Sequence, residues 1–225
     1  APISVSDDGR VLRLRGRFVD KVASMAAALI SVPMPGDSEI HPKRGLLAKT
    51  KKRLMNWVRE CREVAAEGKW SVQASGAGFQ RAFAETVVCG MTGFRDPVPD
   101  EVLAAAQVYF EHLFNFFAAD YQPSRDVEAV LLAYGALVEQ TLVGLTAARR
   151  FCWTEQGRLG QVRNQARKGD LFCVILGAEV PYLLRRIPGK DGSYYTLIGD
   201  SFLLGALQGE ALSDERYETV DILIE

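Results

Sequence analysis

The chain changes its hydrophobic period twice. Near its start, Val11–Val22 reads VLRLRGRFVDKV, with Leu12 and Leu14 on one face and Arg13 and Arg15 on the other. That alternation is the pattern of a half-buried β-strand. Gly16, at its middle, predicts a bend or bulge. A single strand leaves its backbone donors and acceptors unpaired, so this one must find partners elsewhere in the chain.

Residues 33–42, PMPGDSEIHP, read as loop, because Pro and Gly punctuate them. From Leu46 to Gly68 the period becomes helical. Leu47, Leu54, Trp57, Val58, Cys61 and Val64 share one face, and Lys49, Lys52, Arg53 and Arg59 lie largely on the other, with Gly68 as the stop. A second helix is predicted from about Gly78 to Cys89. A third runs from Asp100 to Ala119, its acidic start suited to the positive end of the helix dipole. Its stretch VYFEHLFNFF is apolar nearly all round and predicts burial. After the break at QPS, Ser124 is placed to cap a fourth helix from about Arg125 to Arg149.

Beyond Arg150 the period shortens again. RFCWT, LFCVIL, VPYLLRRI, SYYTLIG and YETVDILIE are short β-favouring segments separated by EQG, GAE, PGKDG and QGE. Such spacing marks a small barrel or a strongly bent sheet. The predicted architecture is α+β. Residues 1–25 supply a strand to the C-terminal sheet, 26–150 form an inserted helical bundle, and 151–225 form a small β-barrel or strongly bent antiparallel sheet, all one interlocked unit. In the hairpin GDLFCVILGAEVPYLLRRI, the side chains of Phe172, Val174, Leu176, Val180, Tyr182 and Leu184 are expected in the barrel. Gly169 and Gly177 permit its turns, and Asp170 orders one of them.

Charge adds little to this picture. Lys plus Arg number 27 against 28 Asp plus Glu, a net charge of -1, so no global field draws the chain to nucleic acid or to an anionic membrane. The start, APISVSDDGR, is unlike a signal peptide, and the longest apolar stretches, such as MAAALISVPM and VLLAYGALV, read as too short to span a bilayer. No transmembrane segment is therefore expected. Cys61, Cys89, Cys152 and Cys173 lie far apart, and neither His41 nor His112 adjoins a cysteine. No metal site or cofactor is expected, and reduced, buried thiols fit a cytoplasmic protein. The first residue is Ala, which reads as a trimmed chain or a fragment.

Candidate chemistry is sparse. SGAGFQR (Ser75–Arg81) has a G-x-G, but Arg81 replaces the third glycine and no strand follows, so it reads as a helix entry. GRLG (Gly157–Gly160) resembles a KH loop, yet follows a strand rather than joining helices. Glu111 and His112 are neighbours on a helix and point about 100° apart, so they do not share a face. His112 is a conceivable general base, though a packed polar residue among aromatics is the plainer reading. Cys152 would need a base from elsewhere to act as a nucleophile. Two basic clusters stand out: Lys49, Lys51, Lys52, Arg53, Arg59 and Arg62 on the first helix, and Arg158, Arg163, Arg167 and Lys168 in what reads as a loop before the hairpin. A solvated charged face is the default for both, and the second is the surface to test for an acidic ligand.

Read as one string, the last third carries more. RRFCWTEQGRLG, GDLFCVILGAEVPYLLRRI and YYTLIGDSFLLGALQGEAL resemble the C-terminal region of fungal heterokaryon-incompatibility (HET-domain) proteins. The family's arginine-aromatic strand with its T-x-x-G turn matches Arg149–Gly160. Its G-D strand matches Gly169 and Asp170, its G-x-x-x-P-x-x-L-R hairpin matches Gly177–Arg185, and its glycine-spaced run ending in G-E matches Leu197–Glu210. The DGRVLRLRGRFVDKV strand is similar to a segment preceding the family's helical stretch. SFLLGALQGE lacks the histidine often found before the glycine, and the W-I-D-x-x-C-I-N-Q motif of the HET domain does not occur in the sequence.

The resemblance implies the part downstream of that domain, in proteins that control non-self recognition and programmed cell death. It supplies no catalytic residues. The expected function is a non-catalytic recognition or regulatory module, contacting a protein partner or an attached effector domain. The alternative is an enzyme or small-ligand binder with a pocket between the aromatic helix and the barrel, using His112, Glu111 or Cys152. Nucleic-acid binding through Arg163, Arg167 and Lys168 is the third and weakest reading.

Overall fold

A computed structural model describes residues 4–6, 9–28, 44–67, 77–90, 98–116, 118, 120–146, 148–190, 193–207 and 209–225, with backbone alone over 44–51, 77 and 145–146. The expected loop at 33–42 lies outside these residues, as do the side chains of Leu47, Lys49 and Lys51. The described strands are β1 (Ser4–Val5), β2 (Leu12–Met25), β3 (Arg149–Thr154), β4 (Leu159–Arg163), β5 (Leu171–Ile175), β6 (Tyr182–Arg186), β7 (Tyr194–Asp200), β8 (Phe202–Leu203) and β9 (Val220–Ile224). The helices are α1 (Arg44–Ala66), α2 (Ala77–Val87), α3 (Asp100–Asn115), α4 (Arg125–Thr146) and the short α5 (Glu210–Ser213). The fold is thus mixed α+β. The chain divides into two compact units, Ala1–Met25 with Cys152–Glu225, and Ala26–Phe151.

In the first unit β2 meets three principal partners in succession. Leu12–Gly16 pair with β9, Gly16–Lys21 with β5, and Val22–Met25 with β3, all antiparallel. From β5 the pairing passes to β6 and β7, and from β7 to β9 through a parallel contact at Tyr194–Leu223 and Tyr195–Ile224. The sheet therefore bends back as a partial ring of strands, with β3, β4 and β8 extending from it.

The register irregularities of β2 fall between Phe18 and Asp20 and between Val22 and Ser24, not at Gly16. Gly16 is where β2 pairs with both β9 and β5, and a Cβ there would stand 2.8 Å from the Val174 carbonyl oxygen and 2.9 Å from Cys173 Sγ. Crowding, rather than a bulge, accounts for the glycine.

Both faces of the β5–β6 hairpin are buried. Cys173, Ile175 and Leu184 join Leu14, Tyr195 and Ile222 inside the ring, where the Phe18 and Tyr195 rings meet at 5.0 Å, tilted by 40°. Phe172, Val174 and Leu183 face the other way, into a second core with Val19, Val22, Cys152, Val162 and Leu203. This explains why LFCVI reads as a continuous apolar run instead of an alternating one. Val180 departs from expectation: it lies in the turn before β6 and is 37% exposed. So does the supposed basic loop, most of whose first half is strand β4, a segment whose glycine and short length hide the β pattern.

In the helical unit α1 buries Leu54, Trp57, Val58, Cys61 and Val64, the face expected of it. Phe83 of α2 lies 6.1 Å from Phe110 of α3 and 5.5 Å from Phe151, and Phe79 stacks on Phe83 at 5.9 Å. Ring burial of this kind supplies about 1.5–3 kcal/mol per side chain. α3 is more one-sided than its sequence suggests: Tyr109, Phe110 and Leu113 are buried, whereas Phe116 just beyond its end is 41% exposed. Ser124 starts α4 as expected, its Oγ accepting from the Val127 N–H at 3.3 Å, with Asp126 and Glu128 in the first turn. As one helix, Arg125–Gly144 is long and apolar enough to cross a membrane by length and composition, a test that core helices also pass.

Candidate functional site

Three polar residues that carry the family resemblance, Asp170, Arg185 and Thr154, lie in the strand unit and have their partners there. Asp170, 3% exposed at its side chain, receives two hydrogen bonds from Arg185, Nε to Oδ1 and Nη2 to Oδ2, both 2.8 Å. The Arg167 N–H also donates to Asp170 Oδ2 at 2.7 Å, and Arg185 Nη2 reaches the Gln165 carbonyl at 2.9 Å. The G-D and L-R motifs, fifteen positions apart in sequence, are therefore one bidentate ion pair. The Asp170 hydrogen bonds hold the Arg185 guanidinium above its ordinary pKa. Gly169, with φ 93°, makes the turn that brings the aspartate round.

The T-x-x-G turn between β3 and β4 grips a second buried carboxylate. Thr154 Oγ1 donates to Asp20 Oδ2 at 2.7 Å and accepts from the Arg158 N–H at 2.9 Å. Asp20 Oδ1 accepts from the backbone of Lys21 and of Gln156, at 2.8 and 3.2 Å. Gln156 Nε2 donates to the Val19 carbonyl, and its Oε1 accepts from the Tyr217 hydroxyl. Arg158 Nη2 donates to that hydroxyl at 2.7 Å, while its Nη1 is buried with no acceptor among the described residues. Further along, the Pro181 carbonyl of the hairpin motif accepts both the N–H and the Oγ of Ser201. At Gly199, φ 148°, a Cβ would meet Arg163 Cγ at 2.8 Å, because the Arg163 stem lies across it on the way to an ion pair with Asp200.

Sequence reasoning missed Asp20, Gln156, Tyr217 and Asp200. The only hint was an acidic residue next to Val19 in β2, and its burial follows from the bulge between Phe18 and Asp20, which local periodicity does not reveal.

The basic group named from sequence splits. Arg158 and Arg163 are committed to internal partners, and Arg167 and Lys168 are exposed. Arg17 binds inward as well, donating to Thr219 Oγ1 and to the carbonyls of Ala211, Leu212 and Asp214 at the end of α5. The Arg216 guanidinium beside Asp214 holds that carboxyl down at about 2.

The residues of the enzymatic alternative are not brought together within either unit. His112 and Glu111 lie on α3 of the helical unit, whereas Cys152 is buried in the strand unit. His112 Nδ1 is 3.2 Å from the Tyr121 hydroxyl, with its ring edge-on to Phe116. Glu111 pairs with Arg62 at 3.6 Å, and Arg62 also lies over the Phe114 ring. All four cysteines are buried and outside any disulfide, and burial pushes the Cys173 thiol up to about 12. Burial together with Glu139 raises the Tyr109 hydroxyl as well.

A shallow cleft of about 20 Å³, open to solvent, occurs within the helical unit. Phe79, Phe83, Phe110 and Phe114 line it, with Arg62, Glu111, Gln80 and Gln107, and its apolar character favours contact over acid–base chemistry. Among the described residues no group of three His, Cys, Asp or Glu is arranged to hold a metal ion.

Comparison with known proteins agrees with the motifs. The family model described as the Het-6 beta-barrel domain matches residues 129–222. Heterokaryon incompatibility protein 6, OR allele, of Neurospora crassa is 37% identical over 57 residues, which are 25% of this chain and 8% of that protein. No solved structure matches significantly. The domain match begins after β2, yet β2 pairs with β5, β9 and β3, so the fold draws on residues outside the matched range. The C-terminal region of the chain, residues 129–222, thus matches the Het-6 beta-barrel domain, the region in which its motifs lie.

Proposed function

We propose that the chain is a non-catalytic recognition or regulatory module in fungal heterokaryon incompatibility, acting through protein contacts or by restraining an attached effector domain. One observation carries this reading: the motif side chains Asp170, Arg185 and Thr154 are engaged in holding strands and turns together. Catalytic side chains are ordinarily aimed into a cleft with capacity left for substrate. Here the motif builds a scaffold, and specificity falls to the surface around it. The short share of the relative that is aligned fits a module that works within a larger protein. On this reading the setting is cytoplasmic, and the effect is on the death response when unlike hyphae fuse.

The test is an incompatibility assay in a filamentous fungus, scoring dye uptake in fused hyphae that express the full polypeptide. Asp170→Ala, which destabilises the strand unit, is expected to abolish the response. Cys152→Ala and His112→Gln variants that fold normally are expected to preserve it. Loss of the response in a well-folded His112→Gln or Cys152→Ala protein would overturn the non-catalytic reading.

A further inference from the structure

We draw no further inference here: the strongest candidate, the exposed face of α4 formed by Ala129, Leu132, Ala133 and Ala136, is mainly a stripe of small residues, and nothing in the structure shows what covers it.

Discussion

Removing either half of the Asp170–Arg185 pair tests whether the family motif is structural. Asp170 is 3% exposed at its side chain and Arg185 29%, so the two truncations are not equivalent. Arg185→Met strands a carboxylate that water cannot reach, leaving it only the Arg167 N–H. Truncating one partner of a buried pair costs about 3–5 kcal/mol, and this variant belongs in that range. Asp170→Ala removes the carboxylate itself, and the guanidinium left behind can turn partly to solvent while keeping the Gln165 carbonyl. The expected loss is smaller, about 2–3 kcal/mol, from two charge-assisted hydrogen bonds and one backbone bond. In the double variant the stranded charge is gone, so the losses combine to less than their sum by about 1.5–3 kcal/mol. Hydrogen exchange on peptides covering β5 and β6, measured across a urea series, reads these differences on the strands that carry the pair. Losses below about 1 kcal/mol for both single variants, or strictly additive losses, would refute the argument that burial makes this pair structural.

Other substitutions separate crowding, capping and ionisation. Gly16→Ala should destabilise by about 1–3 kcal/mol, because its Cβ meets a backbone oxygen that cannot yield; an unchanged urea midpoint would count against the close approach. Gly78→Ala, in α2 with nothing within 4 Å of its Cβ, should instead stabilise by up to about 1 kcal/mol on thermal unfolding. Ser124→Ala should cost about 1 kcal/mol by removing the α4 cap, and Ser124→Asp should restore it in the same assay. The raised Cys173 thiol implies stability that is complete below the ordinary thiol pKa of about 8.5 and declines at roughly 1.4 kcal/mol per pH unit towards the folded value. That folded value is about 12. Cys173→Ala should remove this slope from the alkaline limb, and parallel curves for the two proteins would reject it.

How much was legible in the sequence varies with the range of the interaction. Element type was set locally. The shared apolar face of Leu54, Trp57, Val58, Cys61 and Val64 follows from helical geometry alone, and the same five residues are buried. Ser124 before Arg125 and the glycine turns of the C-terminal third are likewise decided by the chemistry of a few adjacent residues. Motif order pointed to the family without any coordinates, because the spacing of Gly169, Asp170, Pro181 and Arg185 is itself a one-dimensional property.

What joins those residues is not. That Asp170 binds Arg185, that Thr154 binds Asp20 across the length of the chain, and that Arg163 spends its charge on Asp200 depend on strand register. A shift of one residue would send each side chain to the opposite face. The basic cluster shows the consequence: as sequence it is four like charges awaiting a ligand, and in the fold two of them are internal fasteners. Gly16 makes the same point, since a glycine at the centre of a strand signals a bulge or a close approach equally well. Only the arrival of Val174 and Cys173, from a strand more than a hundred residues away, decides between them.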